Sequence, residues 1–152
     1  MKRKQLQIEV CKALLDSTNR RSYCCKLNEN EIAVTTTGFD VFIFDIDEVV
    51  FDTSRIKQHD ILSQVCAEHE KDIKISKTKE LFVRGNGNIL EKYKGENLVV
   101  YVDREISKKF SGSGIDFFAH SPHERILVKD MFGRKIGAFL PVKVVDEKEL
   151  LK

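Results

Sequence analysis

Apolar and polar residues alternate with two different periods along this chain, and the changes of period divide it into elements. From Lys4 to about Ser17, the residues Leu6, Val10, Ala13 and Leu14 recur at i, i+4, i+7 and i+8, the spacing of one helical face. The runs Ser22 to Leu27 and Glu31 to Thr37 are rich in β-formers and flank Asn28-Glu29-Asn30, a turn signal, so they predict a hairpin. Gly38 opens a run from Phe39 to Asp52 in which Phe42, Phe44, Ile46 and Val50 share one parity, with Asp45 and Asp47 on the other. That alternation predicts a long strand buried on one face.

Helical spacing returns between Ser54 and His69, where Ile61, Leu62, Val65, Cys66 and His69 fall on one side and Asp52-Thr53-Ser54 offers N-caps. Leu81 to Arg84 and Ile89 to Tyr93 flank Gly85-Asn86-Gly87-Asn88, a second hairpin. Leu98 to Val102 reads as a strand, and Asp103 caps a short helix carrying Ile106 and Phe110 that the Ser111-Gly112-Ser113-Gly114 cluster ends. Three strands follow, Ile115 to His120, Glu124 to Asp130 and Lys135 to Leu140, with turns at Ser121-Pro122-His123 and Phe132-Gly133-Arg134.

The elements add up to an α+β chain dominated by antiparallel strands. Helix followed by three strands (residues 4–52) is echoed by helix followed by three strands (103–145), so two pseudo-repeated halves are expected, about 1–52 and 98–146. An inserted helix and hairpin would occupy about 53–97. Each half would lay its helix on one face of antiparallel sheet, because strands apolar on one parity must have that face covered. With 152 residues, 41% hydrophobic and 33% charged, the chain has the size of a single domain, 1–152, and the composition of a globular one. No apolar stretch approaches the ~18 residues of a spanning helix, and Gln5, Gln7 and Glu9 interrupt the place where a secretion signal would be apolar. A cytoplasmic protein without a membrane role is expected. The four cysteines, Cys11, Cys24, Cys25 and Cys66, form no C-x-x-C pair and read as reduced structural thiols, one of Cys24 and Cys25 being buried.

Chemistry enters first at Val41-Phe42-Ile43-Phe44-Asp45-Ile46-Asp47-Glu48, which resembles the first motif of the haloacid-dehalogenase-like phosphatases. That resemblance implies Asp45 as a nucleophile toward phosphate, Asp47 as general acid/base and Mg²⁺ as cofactor. The family's glycine after the second aspartate is Glu48 here, and Lys129-Asp130 does not supply its acidic metal-binding pair. The plainer reading keeps Asp45 and Asp47 as solvent-facing residues of an alternating strand, with no catalytic residue and no cofactor. His59, Cys66 and His69, and His120-x-x-His123, match no zinc spacing and read as packing and turn residues, so no metal is expected. Arg84-Gly85-Asn86-Gly87-Asn88 lacks the Lys-Ser/Thr end of a phosphate loop and reads as a hairpin turn.

A formal net charge of +2 announces no partner, but its distribution is uneven. Lys2, Arg3, Lys4, Lys12, Arg20 and Arg21 belong to or flank the first helix, and Arg104, Lys108 and Lys109 belong to the helix of the second half. Leu6 to Thr36, with Ala13-Leu14-Leu15-Asp16 and Leu27-Asn28-Glu29-Asn30-Glu31, is similar to the opening helix, strand and turn of a bacterial DNA sliding-clamp domain. Val102 to Phe110, Ile115 to Ala119, Ile126 to Asp130 and Gly137-Ala138-Phe139-Leu140-Pro141-Val142-Lys143-Val144 resemble its second half.

The likeness covers about half of the chain. It implies a non-enzymatic, clamp-like binding module, with Lys12, Arg104, Lys108 and Lys109 touching DNA phosphates without reading bases. One such domain encloses a duplex only as several copies, with self-association through sheet edges as the natural route. A small protein-interaction domain with an unidentified protein partner and no nucleic-acid role is the remaining alternative.

Overall fold

The computed structural model describes residues 3–16, 21–110 and 112–144. Helix α1 spans Arg3–Leu15 and buries Leu6, Gln7 and Val10, the face that the sequence spacing picks out. Strands β1 (Tyr23–Lys26), β2 (Glu31–Thr35) and β3 (Asp40–Asp45) follow, then a two-residue β4 (Lys57–Gln58) and a five-residue α2 (Ile61–Val65). The chain continues through β5 (Ile73–Val83), β6 (Ile89–Lys94), β7 (Val99–Asp103) and α3 (Arg104–Ser107), which runs into a 3-10 turn, Lys108–Phe110. Strands β8 (Asp116–Ala119), β9 (Ile126–Lys129) and β10 (Lys135–Phe139) close it. No described helix is long and apolar enough to cross a membrane.

All ten strands join one sheet in the order β4-β1-β2-β3-β10-β9-β8-β5-β6-β7. Every pairing is antiparallel except β1 with β4. The outer edges are the very short β4 and β7, and the Val142 N–H donates to Tyr101 O at 2.8 Å on the free side of β7.

The period-2 rule divides the core into two clusters. Cys24, Ile32, Val34, Phe42 and Phe44 face α1 and Phe110, together with Tyr93, Val102, Phe117 and Phe139 from the rest of the sheet. Cys25, Ala33, Val41 and Ile43, of opposite parity, pack beneath Leu62 and Cys66. The expectation of helices on one face of the sheet is therefore corrected: α2 covers the second face of β1–β3, so β3 is buried on both sides and both adjacent cysteines lie inside. Burial pushes the Cys66 thiol up to about 12, which keeps it protonated and unreactive.

Two other expectations change. The strand predicted over Phe39 to Asp52 ends at Asp45, and Ile46–Glu48 form a 3-10 turn that leaves Val50 exposed. Here α1 holds the chain away from the sheet. Gln7 Nε2 donates to Glu48 O at 2.7 Å and Gln7 Oε1 accepts from Val50 N at 2.9 Å, while Glu48 Oε1 accepts from Arg3 and from the Asp45 N–H. Gln7→Ala removes both partners of a half-buried loop and is expected to lower stability by about 1–2 kcal/mol, read as a lower urea midpoint.

The helix predicted over Ser54 to His69 shrinks to α2, because Asp52 caps a separate 3-10 turn and the His59 N–H is taken by Cys24 O at 3.0 Å. Within residues 53–97 the start of β5 pairs with β8 and its end with β6.

Candidate nucleic-acid interface and the groove beside it

The four cations singled out in the sequence are distributed over three settings. Lys12 is exposed near the C-terminal end of α1. Lys109 turns inward, where its Nζ lies 2.8 Å from Oδ2 of Asp40, a carboxylate 1% exposed that also accepts from Thr37 Oγ1. An isolated buried carboxylate is costly, so Lys109 is committed to neutralising Asp40. The first turn of α1 meets this 3-10 turn, since Arg3, Leu6, Lys109 and Phe110 line one small cavity of about 170 Å³. Lys12 therefore stands roughly 13 Å further along the helix, at ~1.5 Å per residue from Arg3. Lys2 and Arg20 lie outside the described residues, and Arg21 sits over the Phe39 ring at 5.8 Å.

Arg104 and Lys108 do come together, on the wall of a groove of about 510 Å³ between α3 and the strands β5, β6 and β8. Asp103 caps α3 by accepting from the Glu105 N–H, which fixes the start of the helix and hence the direction of both side chains. Lys74 and Lys77 of β5 face them across the groove. Lys108 pairs with Glu105 at 2.6 Å and Lys74 with Asp116 at 3.2 Å, both in largely exposed positions where ion pairs hold weakly. No ion pair joins Arg104 to another described residue.

The floor of the groove is a buried polar cluster. Glu91 is 2% exposed; its Oε1 accepts from Ser107 Oγ at 2.5 Å and its Oε2 pairs with Lys77. Burial, reinforced by the neighbouring Glu91 charge, pushes the Tyr93 phenol up to about 12, so it keeps its proton. Sequence reasoning passed over Glu91 and Ser107. The signal was there: Glu91 shares the parity of Tyr93 in β6, where a charged residue is out of place unless something pairs with it.

The other candidates separate cleanly. Asp45 is paired with Arg134, which also reaches Glu31 at 3.4 Å, and Asp47 is exposed on the 3-10 turn after β3 rather than alternating along a strand. Among the described residues no three His, Cys, Asp or Glu side chains converge as metal ligands. Arg84 to Asn88 form a hairpin turn, with Gly87 at φ +86 and the Arg84 N–H donating to Asn88 O at 2.8 Å. His59 packs edge-on to Tyr23, while His69 stacks on His120 with ring centroids 3.9 Å apart.

His120 Nδ1 is 3.0 Å from Asp72 Oδ1, and Asp72 is gripped by both guanidinium nitrogens of Arg125 at 2.8 and 2.9 Å. This cluster, also absent from the sequence reading, ties the end of the α2 segment to β8 and β9. Set against family models, curated proteins and solved structures, the chain matches none of them.

Proposed function

We propose that this chain is a non-enzymatic, clamp-like binding module that works through protein contacts or contacts to a nucleic-acid phosphate backbone. The observation that carries the reading is the strand order β1-β2-β3-β10-β9-β8, which mirrors itself about the β3–β10 pair. Each trio of strands is preceded by a helical element, α1 or α3 with its 3-10 turn, and the two pack on the same face of the sheet. That arrangement supports two pseudo-equivalent halves whose helices share one side. Lys12, Arg104 and Lys108 are exposed on these helical elements and supply the cations a phosphate backbone requires, while Lys109 is held by Asp40. A reducing cytoplasmic setting is part of the proposal and suits the free thiols of the four cysteines.

The phosphohydrolase alternative asks the Asp45 carboxylate to attack phosphate, and that carboxylate is engaged by Arg134. The geometry gives binding the better support.

Light-scattering chromatography with and without a roughly 20-base-pair duplex, at about 50 and 200 mM salt, tests the reading. Association that weakens steeply with salt is expected, with Lys12→Ala and Arg104→Ala each lowering the log–log salt slope by about one. A mass indifferent to duplex at the lower salt would remove the nucleic-acid role and leave protein binding alone. Mg²⁺-dependent phosphatase activity that disappears in Asp45→Asn would overturn the non-enzymatic reading altogether.

A further inference from the structure

We infer that His69 and His120 form a pH-sensitive latch that holds the α2 segment over the second face of β1–β3, closed while the two imidazoles share a single positive charge and opened when they take up a second. The inference stands apart from the binding reading and uses none of the cations named there.

The charge of each ring follows from its contacts. His120 Nδ1 lies 3.0 Å from Asp72 Oδ1, and Nε2 lies 2.5 Å from Glu124 Oε2. Ionised carboxylates only accept, whereas a neutral imidazole has one N–H and one bare lone pair, so a ring facing carboxylates at both nitrogens carries both protons. Despite burial, the hydrogen bonds from Arg125 and the His69 N–H hold the Asp72 pKa down to about 2, and this carboxyl stays ionised. His120 is therefore an imidazolium. His69 is the opposite case: its Nδ1 accepts from the Lys71 N–H at 3.0 Å, so that nitrogen is bare and the ring is neutral. The rings stack 11° from parallel with centroids 3.9 Å apart. A charged ring against a neutral one is attractive, and two charged rings at that distance repel.

The stack sits where its opening matters. Beyond α2, Cys66 to Asp72 are held by cations of the β9–β10 region: Arg125 on Ala67 O and Asp72, Lys129 on Glu68, and Lys135 on Cys66 O at 2.9 Å. His69 is exposed and His120 half-buried, so protons from solvent reach the outer ring. Protonation of His69 Nδ1 removes the acceptor of the Lys71 N–H and sets a second positive charge against His120, beside Arg125 on the shared Asp72 carboxylate. The surrounding acids are already engaged. Both Asp72 oxygens are bonded to Arg125, with His120 and the His69 N–H also upon them, Glu68 is held by Lys129, and Glu124 by His120. Glu70, Lys71 and His123 are exposed to water, where their charges are screened. Opening frees Leu62 and Cys66, which cover Cys25, Ala33, Val41 and Ile43. The latch thereby couples the exposure of an apolar face to pH in the range, about 5–8, where imidazoles take up protons.

Nitrogen-15 imidazole spectra and amide hydrogen exchange of the full chain, recorded between about pH 8 and 5, test the latch. Near neutral pH the spectra are expected to show both His120 nitrogens protonated and His69 Nδ1 bare, with His69 taking up the proton on acidification. Corrected for intrinsic exchange rates, protection of the amides of residues 62–72 is expected to fall about fivefold across that range, with those of β2 and β3 unchanged. His69→Asn keeps an acceptor for the Lys71 N–H, and His69→Phe keeps a stacked ring; neither can take up a proton. The fall is expected to vanish in both. His69 is exposed, so both variants are expected to fold, and a urea midpoint near that of the parent at the higher pH checks this.

A bare nitrogen on His120 near neutral pH overturns the inference, as does a parent whose protection does not change with pH. So does a fall that persists undiminished in both His69 variants. A fall shared equally by β2 and β3 also overturns it, because that marks a general loss of stability in place of a local opening.

Discussion

Gly137→Ala is expected to destabilise the protein by roughly 3 kcal/mol, a large effect for one added methyl group. Gly137 lies in the middle of β10, opposite Phe42 of β3 and Val128 of β9, at the seam where the two strand trios meet. A Cβ there would stand 2.4 Å from Cε1 and 2.9 Å from Cζ of Phe110, and 2.5 Å from the carbonyl oxygen of Val41. Neither neighbour yields easily. Phe110 is buried, with its ring centroid 5.6 Å from that of Phe139 and 5.1 Å from that of Phe42, and the Val41 oxygen is sheet backbone. Displacing Phe110 would also move the 3-10 turn that carries Lys109 to Asp40, which leaves a buried carboxylate in question.

Urea denaturation should show a lower midpoint for Gly137→Ala at unchanged slope. Phe110→Leu combined with Gly137→Ala should cost less than the sum of the two single changes, because the smaller side chain removes one of the clashes. A loss below about 1 kcal/mol in Gly137→Ala would mean that Phe110 does not seat against the strand as described.

The same seam illustrates what was legible in the sequence. Strands β1, β2, β8, β9 and β10, the Asp103 cap and the face of α1 follow from period and turn residues, because each is a local pattern repeated over several positions. Three features were not legible, each for a nonlocal reason. The end of β3 is decided by Gln7 and Arg3, some 40 positions away, which take Glu48 and Val50 out of register with the apolar alternation. The start of β5, Ile73 to Ile75, is too short and too interrupted by Lys74 to signal a strand; it is one because β8 pairs with it. The shortened α2 gives way to β4 and the Asp52 cap.

Among the candidate cations, type and exposure were readable for Lys12, Arg104 and Lys108, whereas the inward turn of Lys109 depends on Asp40, 69 positions away. Glu91 and Ser107 sit in the groove for a similar reason: their contact spans 16 positions and joins a strand to a helix that sequence spacing treats separately.

Asp72→Ala is expected to be the most damaging change outside the hydrophobic core, about 3–5 kcal/mol, because it strips the partner from a buried guanidinium. Arg125 is 8% exposed and donates to both Asp72 oxygens and to Ala67 O, while the His69 N–H and His120 also engage the carboxylate. Burial alone would raise the Asp72 pKa, but the hydrogen bond from Arg125, that from the His69 N–H and that with His120 overcome it and take the pKa down to about 2, from an ordinary 3.8. A carboxyl whose pKa is lower in the folded state than in the unfolded chain binds protons more readily when unfolded. Its stabilisation is therefore complete above the ordinary value and is lost as pH falls from about 4 toward about 2, an effect on the order of 2 kcal/mol.

Asp72→Asn isolates this contribution while keeping the shape of the side chain. Urea midpoints of parent and variant should differ clearly at pH 7 and converge as pH drops through that window, whatever the other carboxylates do, since those are common to both proteins. A difference that stays constant down to pH 2 would show that Asp72 acts by shape and neutral hydrogen bonding, and that its charge does not hold Arg125 between β9 and the α2 segment.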